Sequence, residues 1–196
     1  MRRTSPLLDF PEFSLLECPG WREYRVENPR LVHTGAHTLR RILHWYWTDA
    51  TLPLLAAILW PSVSKNRVAV VGLVSAVLIY LYTRCTQVLW ESVVVLPSLG
   101  IQLETHQGLP SLPLFTSRRF IPLSSLQDFV INEGLRRWDI RYYLVAIQRS
   151  QNGVISLEVA YENLLPRFAV LFEVYHGVHE TLLGDGSKQD EHENET

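Results

Sequence analysis

The chain has 196 residues, of which 47% are apolar and 19% charged, and its formal net charge is −2. This length suits one compact domain with additions, and the slight negative balance argues against the basic stripe that nucleic-acid binding relies on. The two cysteines, Cys18 and Cys85, stand in neither a Cys-x-x-Cys nor a zinc-type spacing, so no disulfide framework is expected.

In MRRTSPLLDFPEF at the N-terminus, two arginines are followed by no apolar run of about 7–15 residues, so no secretory signal is expected. The N-terminus is therefore expected in the cytosol, with the thiols reduced. Residues 1–44, which include WREYRVENPRL, mix aromatic and charged residues without a clear period and are expected to form an extended, partner-dependent arm.

Residues 45–84 carry the charge deficit. Two runs without a charge, LPLLAAILWPSV (Leu52–Val63) and VAVVGLVSAVLIYLY (Val68–Tyr82), flank a polar SKNR. As helices these runs reach only about 18 and 22 Å, short of a hydrocarbon core of about 30 Å. Counted from Trp45 to Val63 and from Val68 to Arg84 they reach about 25–28 Å, close to an endoplasmic reticulum bilayer of about 27 Å. Trp45, Tyr46 and Trp47 at one flank and Tyr80 and Tyr82 at the other are ring types of the membrane interface. Two helices buried in a soluble core are the alternative. Against it, the second run offers only Gly72, Ser75 and two tyrosines as a polar stripe, so a membrane-associated helical hairpin is expected. Lys65 and Arg67 in the turn nearly balance Arg40, Arg41 and Arg84, which leaves orientation open.

The periodicity then turns extended. Val93–Leu96, a turn at Pro97-Ser98 and Ile101–Leu103 form a hairpin, and RRFIPL, SLQDFVINE, RYYLVAIQR and VISLEVAYE follow, parted by the turn-like NEG and SQNG. In NLLPRFAVLFEVYHGVHETLL, Phe168, Leu171, Phe172, Tyr175, His179 and Leu182 recur at spacings of three and four, which predicts one amphipathic helix opened by Pro166 and ended before Gly184. A bent sheet closed by such a helix resembles a pleckstrin-homology-like (PH-like) barrel. Residues 86–183 are thus expected as one β domain with a C-terminal helix, and the acidic residues 184–196 as a disordered tail. The Asn194-Glu195-Thr196 sequon is expected to carry no glycan on the cytosolic side.

Catalytic parts are missing from the sequence. There is no Asp-x-Asp, P-loop or Gly-x-Gly-x-x-Gly, and no nucleophile elbow. His33, His37 and His44 can share a helix face and His176 and His179 lie three apart, yet no cysteine or carboxylate completes either set, so neither metal nor cofactor is expected. Arg118, Arg119, Arg136, Arg137 and Arg141 cluster along the predicted sheet, either as a solvated or partner-facing edge or as contacts to lipid headgroups. Phe129-Val130-Ile131 puts apolar side chains on both faces of one strand, so both faces are expected to be covered, by the terminal helix or by another subunit.

Together these segments resemble the PIG-H family, the H component of the complex that transfers N-acetylglucosamine from UDP-GlcNAc to phosphatidylinositol in the first step of GPI-anchor synthesis. The matching residues are ESVVVLPSLGIQLET (Glu91–Thr105), FIPLSSLQDFVINE (Phe120–Glu133), YYL (Tyr142–Leu144) and the closing PRF and LFEVY between Pro166 and Tyr175. The resemblance spans residues 50–183 and is strongest at SLGIQ and VINE. It implies a non-catalytic subunit at the endoplasmic reticulum membrane, facing the cytosol, that binds a PIG-A-type catalytic glycosyltransferase. It offers no catalytic residue to carry over. By position, Gly100, Asp128, Ile131, Asn132 and Glu133 match the signature and become partner-binding candidates. The expected fold class is α+β, a membrane helical hairpin followed by a PH-like antiparallel barrel closed by a C-terminal helix. The alternative function is a stand-alone membrane-anchored module that binds inositol phospholipid through the five arginines.

Overall fold

Two antiparallel sheets form from the alternating segments, and one helix packs across them. The computed structural model describes residues 2–29, 54, 57, 58, 60, 61, 66–109, 112–136, 138–150 and 152–183. Strands β1 (Arg2–Thr4), β2 (Phe13–Cys18) and β3 (Trp21–Glu27) are followed by helix α1 (Arg67–Cys85). Six strands then run in succession: β4 (Val88–Leu96), β5 (Gly100–Leu109), β6 (Leu112–Pro122), β7 (Leu126–Arg136), β8 (Asp139–Arg149) and β9 (Ile155–Ala160). Helix α2 (Phe168–Leu183) closes the described chain. The first sheet has the order β1-β2-β3-β4-β5-β6 and the second β7-β8-β9.

Period-two alternation decides which side chains meet between the sheets. Phe13, Tyr24, Val26, Val93, Val95, Ile101 and Ile121 point inward from the first sheet, and Phe129, Leu144, Ala146 and Ala160 from the second. Val170, Leu171, Val174 and Val178 of α2 fill the remaining side. Each such burial is worth about 1.5–3 kcal/mol before conformational entropy opposes it. Glu91 is the polar exception at 2% exposure. Its side chain accepts from Thr105 Oγ1 (3.2 Å), Asn163 Nδ2 (2.7 Å), Asn163 N (3.2 Å) and Leu164 N (3.0 Å), and so clasps β4 to the junction between β9 and α2.

Tyr161 opens that junction, and its Oη donates to Tyr24 O at 2.8 Å inside the core. Burial, with smaller contributions from Glu91, Tyr24 and Glu23, pushes its phenol well above the ordinary value. The unfolded phenol ionises near pH 10 while the folded one keeps its proton. Stability is therefore expected to fall as pH rises beyond about 10. Denaturant titrations across that range should show a shallower fall for Tyr161→Phe, which at neutral pH loses only the hydrogen bond, about 1 kcal/mol.

Three expectations are corrected. No membrane helical hairpin is seen: among the described residues no helix is long and apolar enough to cross a membrane. Its first limb falls mostly outside the described residues, and its second is α1, which starts at Arg67 and carries Tyr80, Tyr82, Thr83 and Arg84 in its last turns. The end of the polar SKNR has a local role, because Asn66 Oδ1 accepts from Val68 N at 3.0 Å and caps α1. The sheets also do not close into a PH-like barrel. Strands β6 and β9 are edges of different sheets, joined by the Arg119–Glu158 ion pair at 2.5 Å rather than by a ladder among the described residues. Finally, NEG is not a turn: Gly134 pairs with Arg141 inside β7–β8 with the Tyr143 ring over it, and the strand runs on to Arg136. Within the segment read as an extended arm, residues 2–27 hold β1–β3, and residues 30–44 lie outside the described residues.

Candidate functional site

Helix α2 carries two stripes with different duties. At about 100° per residue, Val170, Leu171, Val174 and Val178 share one face, and all four are buried. Phe168, Phe172, Tyr175 and His179 lie roughly a third of a turn away. Phe168 and Phe172 stay 48% and 46% exposed. The expected aromatic stripe is thus real, but the core is packed by the aliphatic one.

The aromatic stripe forms a continuous ladder. Tyr142 of β8 meets Phe168 edge-on at 5.0 Å between ring centroids, Phe168 stacks on Phe172 at 5.8 Å, and Phe172 meets His176 at 4.4 Å. Tyr175 lies 4.3 Å from the His179 ring. His179 Nε2 in turn donates to Phe129 O at 3.0 Å, which fastens α2 to β7. This bond and the ladder account for His176 and His179, and among the described residues no three His, Cys, Asp or Glu converge on a metal position.

Between the ladder and β7, an outer strand of its sheet, lies an open groove of about 500 Å³. Strand β7 supplies Val130, Ile131, Asn132 and Glu133, β8 supplies Tyr142, and α2 supplies Phe168, Phe172 and Tyr175. Ile131 also packs against the core. Asn132 Oδ1 accepts from Glu133 N at 2.8 Å, which turns these two polar side chains along the rim. The groove's lining is mostly aromatic and aliphatic, with Asn132 and Glu133 as its polar members. An apolar aromatic floor with a polar rim is the anatomy of a protein interface.

The structure brings Ile131, Asn132 and Glu133 together here, and places the other two candidates elsewhere. Gly100 has φ of 139°, and a Cβ there would collide with the backbone of Ile121 and Leu123. Its place in the signature is explained by that close approach of β5 to the end of β6. Asp128 follows a register shift in β7, and its Oδ1 accepts from Phe129 N at 2.7 Å. It borders a separate cavity of about 60 Å³ with Leu123, Val178 and Leu182. The rings of Tyr142, Phe168, Phe172 and Tyr175 are the part that sequence reasoning did not assign to a binding surface. The signal that could have found them is that α2 offers more large apolar positions than one core face can use.

The arginines divide between two places. On β6, Arg118 pairs with Glu104 at 3.1 Å and Arg119 with Glu158, and as sequence neighbours they leave by opposite faces. On β8, Arg141 pairs with Asp139 at 2.7 Å. Arg136 ends β7, and Arg137 lies outside the described residues.

Comparison with known proteins points to one family. Residues 92–162, from β4 to just beyond β9, match the profile described as "GPI-GlcNAc transferase complex, PIG-H component". The chain is 38% identical over 85 residues to the gpi15 subunit of phosphatidylinositol N-acetylglucosaminyltransferase from Schizosaccharomyces pombe, covering 43% of this chain and 49% of that protein. The H component of the same transferase from Homo sapiens is 24% identical over 171 residues, covering 84% of this chain and 82% of the human protein. The matched region thus spans about half the length of the fission-yeast relative. No solved structure matches.

Proposed function

We infer that this chain is a member of the PIG-H family, and from that premise that it is a non-catalytic subunit of the complex that transfers N-acetylglucosamine from UDP-GlcNAc to phosphatidylinositol. In this reading its groove docks a PIG-A-type catalytic subunit, and the reaction is carried out by that neighbour. The relatives named as subunits of the transferase support it. The observation that carries it is the aromatic groove itself, where exposed rings of α2 stand against Ile131, Asn132 and Glu133 inside the family-matched segment. Exposed rings with a polar rim place binding energy in a few large side chains.

In the same reading the complex sits at the endoplasmic reticulum membrane with both sheets on the cytosolic side. Helix α1 supports a covered position, because Val68, Val71, Leu78 and Ile79 are all well exposed on it. An apolar surface of that kind marks an interaction site. Tethering the catalytic subunit beside its lipid acceptor raises effective concentration without adding chemistry.

The test is co-purification of the full-length chain with a PIG-A-type subunit in detergent. Phe168→Glu together with Phe172→Glu should lower recovery of the catalytic subunit by about tenfold or more. Because both rings are half exposed, the thermal midpoint should stay nearly unchanged. Undiminished recovery with the double variant would remove the groove as the docking site.

A further inference from the structure

The far end of the β7–β8 arm serves neither the core nor the groove. Inward packing stops at Phe129 and Ile131 on β7 and at Leu144 on β8, and the arm continues past them to the Arg136–Asp139 pair. Its last apolar side chains are open to solvent: Leu135 is 83% exposed, Trp138 102% and Ile140 59%. A short connection that merely reverses the chain favours Asn-Gly or Asp-Gly. Here the sequence is Leu-Arg-Arg-Trp-Asp-Ile-Arg over residues 135–141, in which three apolar residues are interspersed with three arginines.

Charge distinguishes this tip from the rest of the molecule. Three arginines against one aspartate give it a net +2, in a chain whose net charge is −2. Arg141 meets Asp139 at 2.7 Å, so the single acidic group at the tip is held by its own neighbour. Tryptophan with aliphatic side chains, set among arginines, is the combination that settles at a lipid–water boundary: the indole lies at headgroup level and guanidinium forks meet phosphate. A protein partner would be expected to grip an indole in packed surroundings, and the solvated tip offers none.

We propose that the tip of the β7–β8 arm is a membrane-contact element that seats Leu135, Trp138 and Ile140 among the headgroups of an anionic bilayer. This goes beyond the docking function and does not depend on it, since lipid contact is measured with the chain alone. With the groove beginning at Glu133 and Tyr142, directly behind the tip, such contact would set the height of the docked partner above the lipid.

Helix α1 also exposes apolar side chains, so total vesicle binding does not report on the tip, whereas Trp138 emission does. The full-length chain and its Trp138→Phe variant are mixed with vesicles of phosphatidylcholine brominated on the acyl chains, with or without phosphatidylinositol. The difference between the two emission spectra isolates Trp138. That difference is expected to be quenched on vesicles containing phosphatidylinositol. Leu135→Ser with Ile140→Ser should weaken the lipid dependence of quenching about tenfold while leaving the thermal midpoint in place. Arg136→Glu with Arg137→Glu should abolish the preference for the anionic lipid. Unquenched Trp138 emission overturns the proposal, as does quenching that both double variants leave unchanged. Trp138 that responds only when a PIG-A-type subunit is added overturns it too, by making the tip a protein contact.

Discussion

Glu91→Ala is expected to be the most damaging single substitution described for this chain, lowering stability by about 3–5 kcal/mol. The side chain is 2% exposed and accepts from Thr105, from the amide side chain and backbone N–H of Asn163, and from the backbone N–H of Leu164. Alanine has no acceptor in its own side chain and would leave those donors without the partner they share. Since the donors belong to the junction that carries the chain from β9 into α2, the loss falls on the docking of α2. Glu91→Gln keeps the shape but turns an N–H₂ group toward donors, so a smaller loss of about 2 kcal/mol is expected. Thermal unfolding decides the matter: a drop of roughly 6–15 °C is expected for the alanine variant, and one below about 2 °C would mean that the clasp is replaced by water at little cost.

Gly177→Ala is expected to destabilise by about 2–3 kcal/mol, opposite in sign to what helix propensity alone gives, a gain of about 1 kcal/mol for glycine to alanine within a helix. The reason is Tyr24. A Cβ at Gly177 would overlap Oη, Cζ and Cε1 of that ring, which is 2% exposed and has no free space to retreat into. Either α2 lifts from the first sheet or the ring leaves its rotamer, and both disturb the carbonyl of Tyr24 that Tyr161 uses. Tyr24→Phe removes the nearest atom, so in a double-mutant cycle it should recover part of the loss. A stabilised Gly177→Ala variant would show that this helix–sheet contact is looser than its geometry.

Much of the second half of the chain was legible because its apolar runs are short and parted by turn residues. Ile101 to Glu104 alternate apolar with polar, turn residues part the segments that follow, and α2 repeats at helical spacing. The N-terminal strands were hidden by burial on both faces. Phe13, Tyr24 and Val26 face the core, yet Ser14, Leu16 and Glu23 are also nearly fully buried on the opposite side, which erases the period of two. Strand β6 was read as beginning only at Arg118 because Pro113 interrupts it, and an edge strand tolerates a proline that a central one does not. The hairpin was misread for a related reason. Apolar content without a polar stripe says that a helix will be covered, and it does not say by what. The candidate site was half legible: the polar rim at Asn132 and Glu133 stands out in sequence, whereas the rings that face it come from a different element and meet it only through the fold.

The clasp at Glu91 bears on how this protein can be cut. The family-matched stretch runs from residue 92 to residue 162, and the clasp joins the residue just before it to the two just after it. A fragment trimmed to those limits would lose both ends of its own fastener, along with the three N-terminal strands and α2. The limits of the family match and of autonomous folding therefore differ here, and a portable version of the domain must begin at β1 and end after α2.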